Sequence, residues 1–510
     1  MSDTPRGPQV ATSQGAVRGT VEADVHVFRG VPFAQPPVGA LRLAAPRPVA
    51  PWDGVRDAVT FGPCPPQSGM SMSADTTLPR GSGGTAPAGT DDRGWLTLNV
   101  WTPDLGAAGL PVLFWIYGGG YTEGRADDPM YDGARLASEN GVVVVSVNYR
   151  LGAEGFGLFA GAPANRGLLD QTAALTWVRD NIGAFGGDPA RVTVFGESAG
   201  GGSVAALLAM PRTQGLFRRA VVQSMPGKFY SRELAEGLGR AMADQAGVPA
   251  TAAGVASVEP RALADATTAL ARRMAGDPRR WGVEANRPVS PVIDGDVLPR
   301  SPWDALAAGQ ARDVTVLGGH TRNEWLAIMA FAGQLDGMDE AVVDTYLHAL
   351  TPDGGKAYRE AFPEARPWQL YEKLMTDWSF RAPLLRLLDA QVAGGGTAYA
   401  YELAWKTTLF GRPVHGAPHG SDLPLVFGNF GAGPFGGEPT EAERALSARM
   451  RTAWTSFAGG GDPGWPAYDS ESRVAKVFDL EDSVGPYTGQ VNLALWAHTT
   501  FGAVPAPPQG

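Results

Sequence analysis

A serine lies inside the pentapeptide GESAG at residues 196–200, a setting in which its hydroxyl is a candidate nucleophile. The pentapeptide alone carries little information, because a chain with 68 glycines among 510 residues yields Gly-x-Ser-x-Gly roughly 0.4 times by chance. The flanking residues carry more, since apolar VTVF (192–195) predicts a strand and GGGSVAALLAM (200–210) predicts a helix. A strand, a tight turn and a helix present the hydroxyl beside a helix N-terminus, so we predict that Ser198 is a nucleophile.

A serine nucleophile needs a base that takes its proton and an acid that orients the base. Among six histidines, the chain order nucleophile, acid, histidine excludes His26 and favours His419 in the loop GAPHGSDLPLVFG. His415 lies four residues earlier, but no cysteine or carboxylate cluster completes a metal ligand set, so we predict no metal site. Glu324 follows the apolar run at 314–319, although composition alone would leave it as a solvated surface charge.

Three glycines follow a strongly apolar run in WIYGGGY (115–121). Such a turn lets backbone N–H groups face a substrate oxygen. We predict that the N–H groups of Gly119, Gly120 and Ala199 form a three-donor oxyanion hole. Losing one such donor typically costs about 2.7–4 kcal/mol of transition-state stabilisation.

The elements that position these residues alternate between buried strands and helices. Residues 112–117, 142–148, 192–195 and 220–224 read as strands that are apolar on both faces, and residues 170–182 and 200–210 read as helices. Strands return at 314–319, 398–403 and 475–480. This pattern predicts an α/β protein with a large, mostly parallel central sheet flanked by helices.

The remaining segments predict how the domain is organised. Because late strands complete the sheet, residues 1–510 form a single domain with helical insertions at about 231–310 and 325–395 that cover the active site as a lid. The first insertion carries no strand signal. Residues 65–92 are polar and rich in glycine, which predicts a mobile loop.

Composition excludes several classes of function. The net charge of −10 is spread along the chain, which argues against nucleic acid and anionic membranes as partners. No apolar run approaches the ~20 residues of a bilayer helix, and the N-terminus lacks the apolar stretch of a secretory signal. Cys64 is the lone cysteine, so no internal disulfide forms. We expect a cytoplasmic protein, a monomer or weak homo-oligomer, that acts on a small molecule.

Several sequence blocks together resemble the type-B carboxylesterase/cholinesterase family, in particular its bacterial p-nitrobenzyl-esterase-like branch. They include FRGVPFAQPPVGALR, VLFWIYGGGY, NRGLLDQTAALTWVRDNIGAFGGDPARVTVFGESAGG, GGHTRNEW and HGSDLPLVFGN, and they span most of the chain. The resemblance implies an α/β-hydrolase fold with helical insertions that form a lid or gorge. The implied site residues are the nucleophile Ser198, the acid Glu324, the base His419, the oxyanion donors Gly119, Gly120 and Ala199, and the supporting residues Glu197 and Ser224. Arg150 and Asp170 are implied to form a buried structural ion pair.

The chain also departs from this family. Asp-Arg-Gly-Trp at 92–95 replaces the family's Ser-Glu-Asp-Cys, which removes both the partner of Cys64 in a disulfide and the glutamate that pairs with an arginine such as Arg42. The loop 65–92 has no aromatic residue, so a quaternary-ammonium substrate is not expected. Trp325 replaces a usual glycine and could crowd the acid loop.

The predicted function is a serine carboxylesterase that acts through an acyl-enzyme intermediate and needs no cofactor. The alternatives are an amidase or carbamate hydrolase on the same triad, or a binding relative without catalysis. Five aromatic residues are candidates to line the acyl pocket, although each is favoured as a core residue: Phe229, Tyr230, Trp281, Trp325 and Phe331.

Overall fold

A sheet of eleven strands lies at the centre of the protein, in a computed structural model that describes residues 7–68, 94–277, 281, 287–334, 338–497 and 499–507. In chain order the strands are β1 (Thr20–Glu22), β2 (Val25–Pro32), β3 (Thr97–Thr102), β4 (Leu110–Ile116), β5 (Val143–Val147), β6 (Gly187–Glu197), β7 (Arg219–Gln223), β8 (Thr315–Thr321), β9 (Ala398–Leu403), β10 (Val474–Phe478) and β11 (Ser483–Pro486). Across the sheet their order is β11-β10-β9-β8-β7-β6-β4-β5-β3-β2-β1.

The seven strands from β4 to β10 are mutually parallel. Antiparallel strands complete the sheet, with β11 at one edge and β3, β2 and β1 at the other. The predicted α/β class with a large, mostly parallel sheet is therefore confirmed. In such a sheet the carboxyl ends of the parallel strands share one edge, where α/β proteins bind their ligands.

Helices flank the sheet, as expected for strands that are apolar on both faces. The α-helices are Ala134–Asn140, Gly152–Phe156, Arg166–Asn181, Ala199–Ala209, Arg232–Gln245, Ala252–Ala256, Pro260–Gly276, Pro302–Ala307, Trp325–Phe331, Glu340–Leu350, Lys356–Ala361, Pro367–Thr376, Ala382–Ala393, Leu423–Phe427, Glu441–Gly460 and Gln490–Leu495. Asp377–Arg381 forms a π-helical turn. Within the described residues, no helix has the length and apolar character needed to cross a bilayer.

The two predicted insertions are largely helical. The expectation that 231–310 lacks strands is wrong at Val292–Ile293, which pairs with Phe229–Ser231, because two paired residues are too few to leave a pattern in the sequence. The second insertion has its own hydrophobic cluster, apart from the main core. Its cover over the active site, like that of the first, stays a prediction. The predicted mobile loop 65–92 lies outside the described residues from residue 69 onward.

Buried ion pairs tie loops to helices. Arg150 and Asp170 form a bidentate ion pair at 2.7 and 2.8 Å, and both side chains are buried. Arg42 pairs with Glu154, so an acid elsewhere in the chain replaces the partner that the sequence lacks. Cys64 is free and buried, and burial raises the pKa of its thiol to about 12.

Candidate active site

Ser198 occupies the turn between β6 and the helix Ala199–Ala209. Its backbone has φ 56° and ψ −124°, a conformation that is strained for any residue with a Cβ atom. The turn is held from the sheet side, because the N–H of Ser198 donates to the carbonyl oxygen of Gln223 at the end of β7, at 3.0 Å. Strand, turn and helix lie here as the sequence predicts.

Glycines let the turn lie against β4. A Cβ atom on Gly200 would lie 1.9 Å from the carbonyl oxygen of Ile116, and one on Gly196 would lie 2.6 Å from the carbonyl carbon of Gly200. Real Cβ atoms do not approach other atoms so closely. A Cβ atom on Gly201 would lie 2.4 Å from the carbonyl oxygen of Gln223. These glycines are therefore required by close packing of the helix on the sheet.

Glu324 and His419 are in direct contact. Nδ1 of His419 lies 2.5 Å from Oε2 of Glu324, and both residues are buried. The other carboxylate oxygen accepts the N–H of Thr321, the last residue of β8, at 2.8 Å. The N–H of His419 also donates to the carbonyl oxygen of Glu324, at 3.3 Å. The acid is thus fixed by the end of a strand, and it in turn orients the histidine.

The second ring nitrogen of His419 faces the serine turn through Glu197. Nε2 lies 3.2 Å from Oε1 of Glu197, the residue that precedes Ser198. Among the described residues, no hydrogen bond joins the Ser198 hydroxyl to His419. Catalytic hydrogen bonds are often long in ligand-free enzymes and tighten when substrate binds. The structure therefore brings together four predicted residues, Glu197, Ser198, Glu324 and His419. The hydrogen bond between the Ser198 hydroxyl and His419 is the contact that is not formed.

Three carboxylates surround the histidine and set its protonation. Although burial alone would lower it, the charges of Glu197 and Glu324 raise the pKa of His419 to about 9. Burial raises the pKa of Glu197 to about 8 and that of Asp422 to about 6. Burial also disfavours the charge of Glu324, but contact with His419 outweighs it and lowers the pKa of that carboxyl. Glu324 is therefore the ionised partner of the ring.

The predicted oxyanion loop follows β4 directly. Gly119 has φ 98° and Gly120 has φ 59°, both in the left-handed region that glycine adopts without strain. A Cβ atom on Gly118 would lie 2.9 Å from the Ser198 Cβ, so the loop lies against the serine turn. In the part of the chain that the structure describes, the N–H groups of Gly119, Gly120 and Ala199 donate no hydrogen bond. A loop and a helix that border Ser198 thus carry three N–H groups for which no acceptor is found within the described residues.

Two supporting residues were predicted, and others were missed. Ser224 follows β7 and is buried, and its hydroxyl makes no hydrogen bond within the described residues. Sequence reasoning missed Asp422, whose Oδ2 accepts Nε2 of Gln223 at 2.7 Å and the Tyr401 hydroxyl at 3.3 Å. Its place in HGSD, three residues after the histidine, was the available signal. Phe380, whose ring centre lies 4.6 Å from that of His419, left no signal in the sequence.

Trp325 does not displace the acid. Its side chain is buried in the cluster of the second insertion, and its backbone N–H donates to Oγ1 of Thr376 at 3.0 Å. Of the candidates for lining a pocket, Phe229 and Tyr230 are core residues, as favoured. Phe331 is 41% exposed and packs edge-on against Phe410, so its assignment to the core is wrong.

The pair His415 and His419 does not converge on one site. His415 is exposed, whereas His419 is buried on Glu324. Among the described residues, no group of three histidine, cysteine, aspartate or glutamate side chains could hold a metal ion.

Comparison with known proteins identifies the family to which the chain belongs. The model of the carboxylesterase family matches residues 6–484. The chain is 36% identical to the para-nitrobenzyl esterase of Bacillus subtilis over 93% of this chain and 95% of that protein. It is 35% identical to the fumonisin B1 esterase of Sphingopyxis macrogoltabida over 91% and 85%. A crystal structure of a Geobacillus stearothermophilus carboxylesterase superimposes with a TM-score of 0.81 at 35% identity, covering 96% of this chain and 99% of that one. The chain therefore belongs to the carboxylesterase family and is a carboxylic ester hydrolase with the α/β-hydrolase fold.

Proposed function

We propose that the enzyme hydrolyses carboxylic esters through an acyl-enzyme formed on Ser198, with His419 as base and Glu324 as acid. The observation that carries this proposal is that the N–H groups of Gly119, Gly120 and Ala199, which border a strained serine, donate no hydrogen bond within the described residues. Such donors stabilise charge that develops only in the transition state.

In the first half-reaction the Ser198 oxygen attacks the ester carbonyl while Nε2 of His419 accepts the hydroxyl proton. The carbonyl oxygen becomes an oxyanion and accepts hydrogen bonds from the three backbone N–H groups. Glu324 holds the ring through Nδ1 and stabilises the imidazolium. His419 then gives its proton to the alkoxide that leaves, and the acyl group remains on Ser198.

In the second half-reaction water takes the place of the alcohol. His419 accepts a proton from the water as its oxygen attacks the acyl carbonyl, and the oxyanion forms in the same hole. When the tetrahedral intermediate collapses, the proton passes from His419 to the Ser198 oxygen and the carboxylic acid is released.

Replacement of the nucleophile tests the proposal. We expect Ser198→Ala to lower the turnover of p-nitrophenyl acetate by on the order of 10⁴-fold or more, because the covalent path is lost. The wild type should take up one organophosphate group per chain and the variant none. Ser138→Ala, an exposed site on another helix, is the matched control. Turnover by Ser198→Ala near the wild-type rate, with an unchanged circular dichroism spectrum, would refute the proposal.

Matched ester, amide and carbamate substrates separate the alternatives. An ester-selective enzyme should show the largest kcat/KM for the ester, since alkoxides leave without the full protonation that amines require. A larger value for the amide or the carbamate would assign the same residues to that reaction instead.

A further inference from the structure

An arginine lies against the oxyanion loop. A Cβ atom on Gly120 would lie 2.1 Å from Nη1 of Arg287, so the guanidinium is packed on the glycine backbone. Arg287 itself is exposed, and Gly120 and Ser198 are partly exposed. The guanidinium therefore lies, open to solvent, on the loop that borders Ser198.

The backbone around Arg287 is anchored. The hydroxyl of Tyr230, a buried residue, donates to the carbonyl oxygen of Arg287 at 2.7 Å. Three residues further on, the buried Ser290 hydroxyl donates to the carbonyl oxygen of Lys228 at 2.6 Å. Both contacts join this segment to the chain that leaves β7 next to the serine turn. The backbone that carries the arginine is thus tied to the segment that follows β7.

The charge of Arg287 has no ion-pair partner within 4.0 Å among the described residues. The charge of Arg287 acts on the carboxyl group of Glu123. The Cγ atom of Glu123 would lie 3.1 Å from a Cβ atom on Gly119. Burial raises the pKa of Glu123 to about 7, although Arg287 lowers it. Burial therefore disfavours the charged form of Glu123, so this carboxyl neutralises the arginine incompletely.

Catalysis fixes which part of a substrate meets this charge. The scissile carbonyl oxygen must accept the N–H of Gly120, so its substituents lie close to the guanidinium on that glycine. The alcohol oxygen must face His419, which protonates it, and no contact joins Arg287 to His419 in the described residues. The acyl group is thus the part directed toward Arg287.

We propose, given the ester hydrolysis proposed above, that Arg287 binds a carboxylate on the acyl group, so that the enzyme prefers half-esters of dicarboxylic acids to neutral esters of the same shape. Guanidinium and carboxylate form short, charge-assisted and often bidentate hydrogen bonds, which suits an exposed arginine without an ion-pair partner among the described residues. The spacing between the two acyl carboxyls sets the fit.

The test compares two ethyl esters of equal shape, monoethyl glutarate and ethyl 5-methylhexanoate, in which an isopropyl group stands where the carboxylate is. Hydrolysis is followed in a pH-stat at pH 7.5. We expect the ratio of kcat/KM for the anionic over the neutral ester to fall by about tenfold or more in Arg287→Met, mainly through KM. Arg287→Lys should keep part of the preference, because the positive charge remains but the planar guanidinium, which binds a carboxylate through two N–H groups, is lost.

Arg218→Met is the matched control. Arg218 is exposed and precedes β7, at the opposite end of that strand from Ser224. The substitution Arg218→Met removes the same charge far from the serine, so the ratio of kcat/KM for the two esters should stay at the wild-type value. Monoethyl succinate and monoethyl adipate then define the preferred spacing.

Two results would overturn the inference. One is an unchanged ratio in Arg287→Met. The other is an equal fall for both esters, which would assign the guanidinium to the oxyanion itself. Failure of the proposed function looks different, because the wild type would then hydrolyse neither ester in a manner that depends on Ser198.

Discussion

Nδ1 of His419 lies 2.5 Å from Oε2 of Glu324, at the point where a loop and the end of a central strand meet. The contact is made by two buried groups that are far apart in the chain. It fixes which ring nitrogen is directed at the acid and leaves the other nitrogen for the serine turn. The orientation of the base is thus a property of the fold.

The first prediction concerns the charge of the acid. Glu324→Gln preserves the shape of the side chain but removes the negative charge opposite Nδ1, so we expect kcat for p-nitrophenyl acetate to fall by on the order of 10⁴-fold. Steady-state kinetics measure the effect. Glu438→Gln, at an exposed glutamate, is the control and should match the wild type. A variant that keeps more than a tenth of the wild-type kcat would remove Glu324 from its assigned role.

The second prediction concerns pH. The base must be neutral to accept a proton, and neighbouring carboxylates raise the pKa of His419 to about 9. We therefore expect kcat/KM to fall on acidification, with a midpoint above the ordinary histidine pKa of about 6.5. Glu197→Gln removes one of these negative charges and should move the acidic limb to lower pH. An unshifted limb would contradict the contribution of the Glu197 charge to the pKa of His419.

The third prediction concerns stability. Asp170→Asn leaves the buried Arg150 without its counter-charge, which should lower the free energy of unfolding by about 3–5 kcal/mol. Urea unfolding followed by circular dichroism gives the value. Asp180→Asn breaks an exposed pair with Arg179 and should cost less than about 1 kcal/mol. Equal losses in the two variants would contradict a special role for the buried pair.

The fourth prediction concerns the packing of the serine turn. In Gly200→Ala the added methyl group would meet the carbonyl oxygen of Ile116 at 1.9 Å, so the turn must shift. We expect a stability loss of about 1–3 kcal/mol together with a lower kcat. Gly183→Ala, where an added Cβ meets nothing within 4 Å, is the control. Wild-type activity in Gly200→Ala would show that the turn tolerates a wider spacing.

The sequence predicted the strands, the serine turn and the sheet, because local patterns carry them. The contact between His419 and Glu324 was implied by family resemblance, since composition left Glu324 as a surface charge. No pattern indicated that Arg42 would pair with Glu154, or that Arg287 would lie on Gly120. These contacts depend on how distant loops pack, and an arginine in a loop looks the same in sequence whether or not it borders a cleft.

Glu324 stands at a border between two hydrophobic clusters. β8, which ends three residues before it, contributes Val316 and Leu317 to the main core, whereas the next residue, Trp325, belongs to the smaller cluster of the second insertion. Regions of a protein open locally with free energies below that of global unfolding. Glu324 is therefore held from two sides, and a partial unfolding of the smaller cluster would free the chain that follows it while the sheet and the serine turn stay folded.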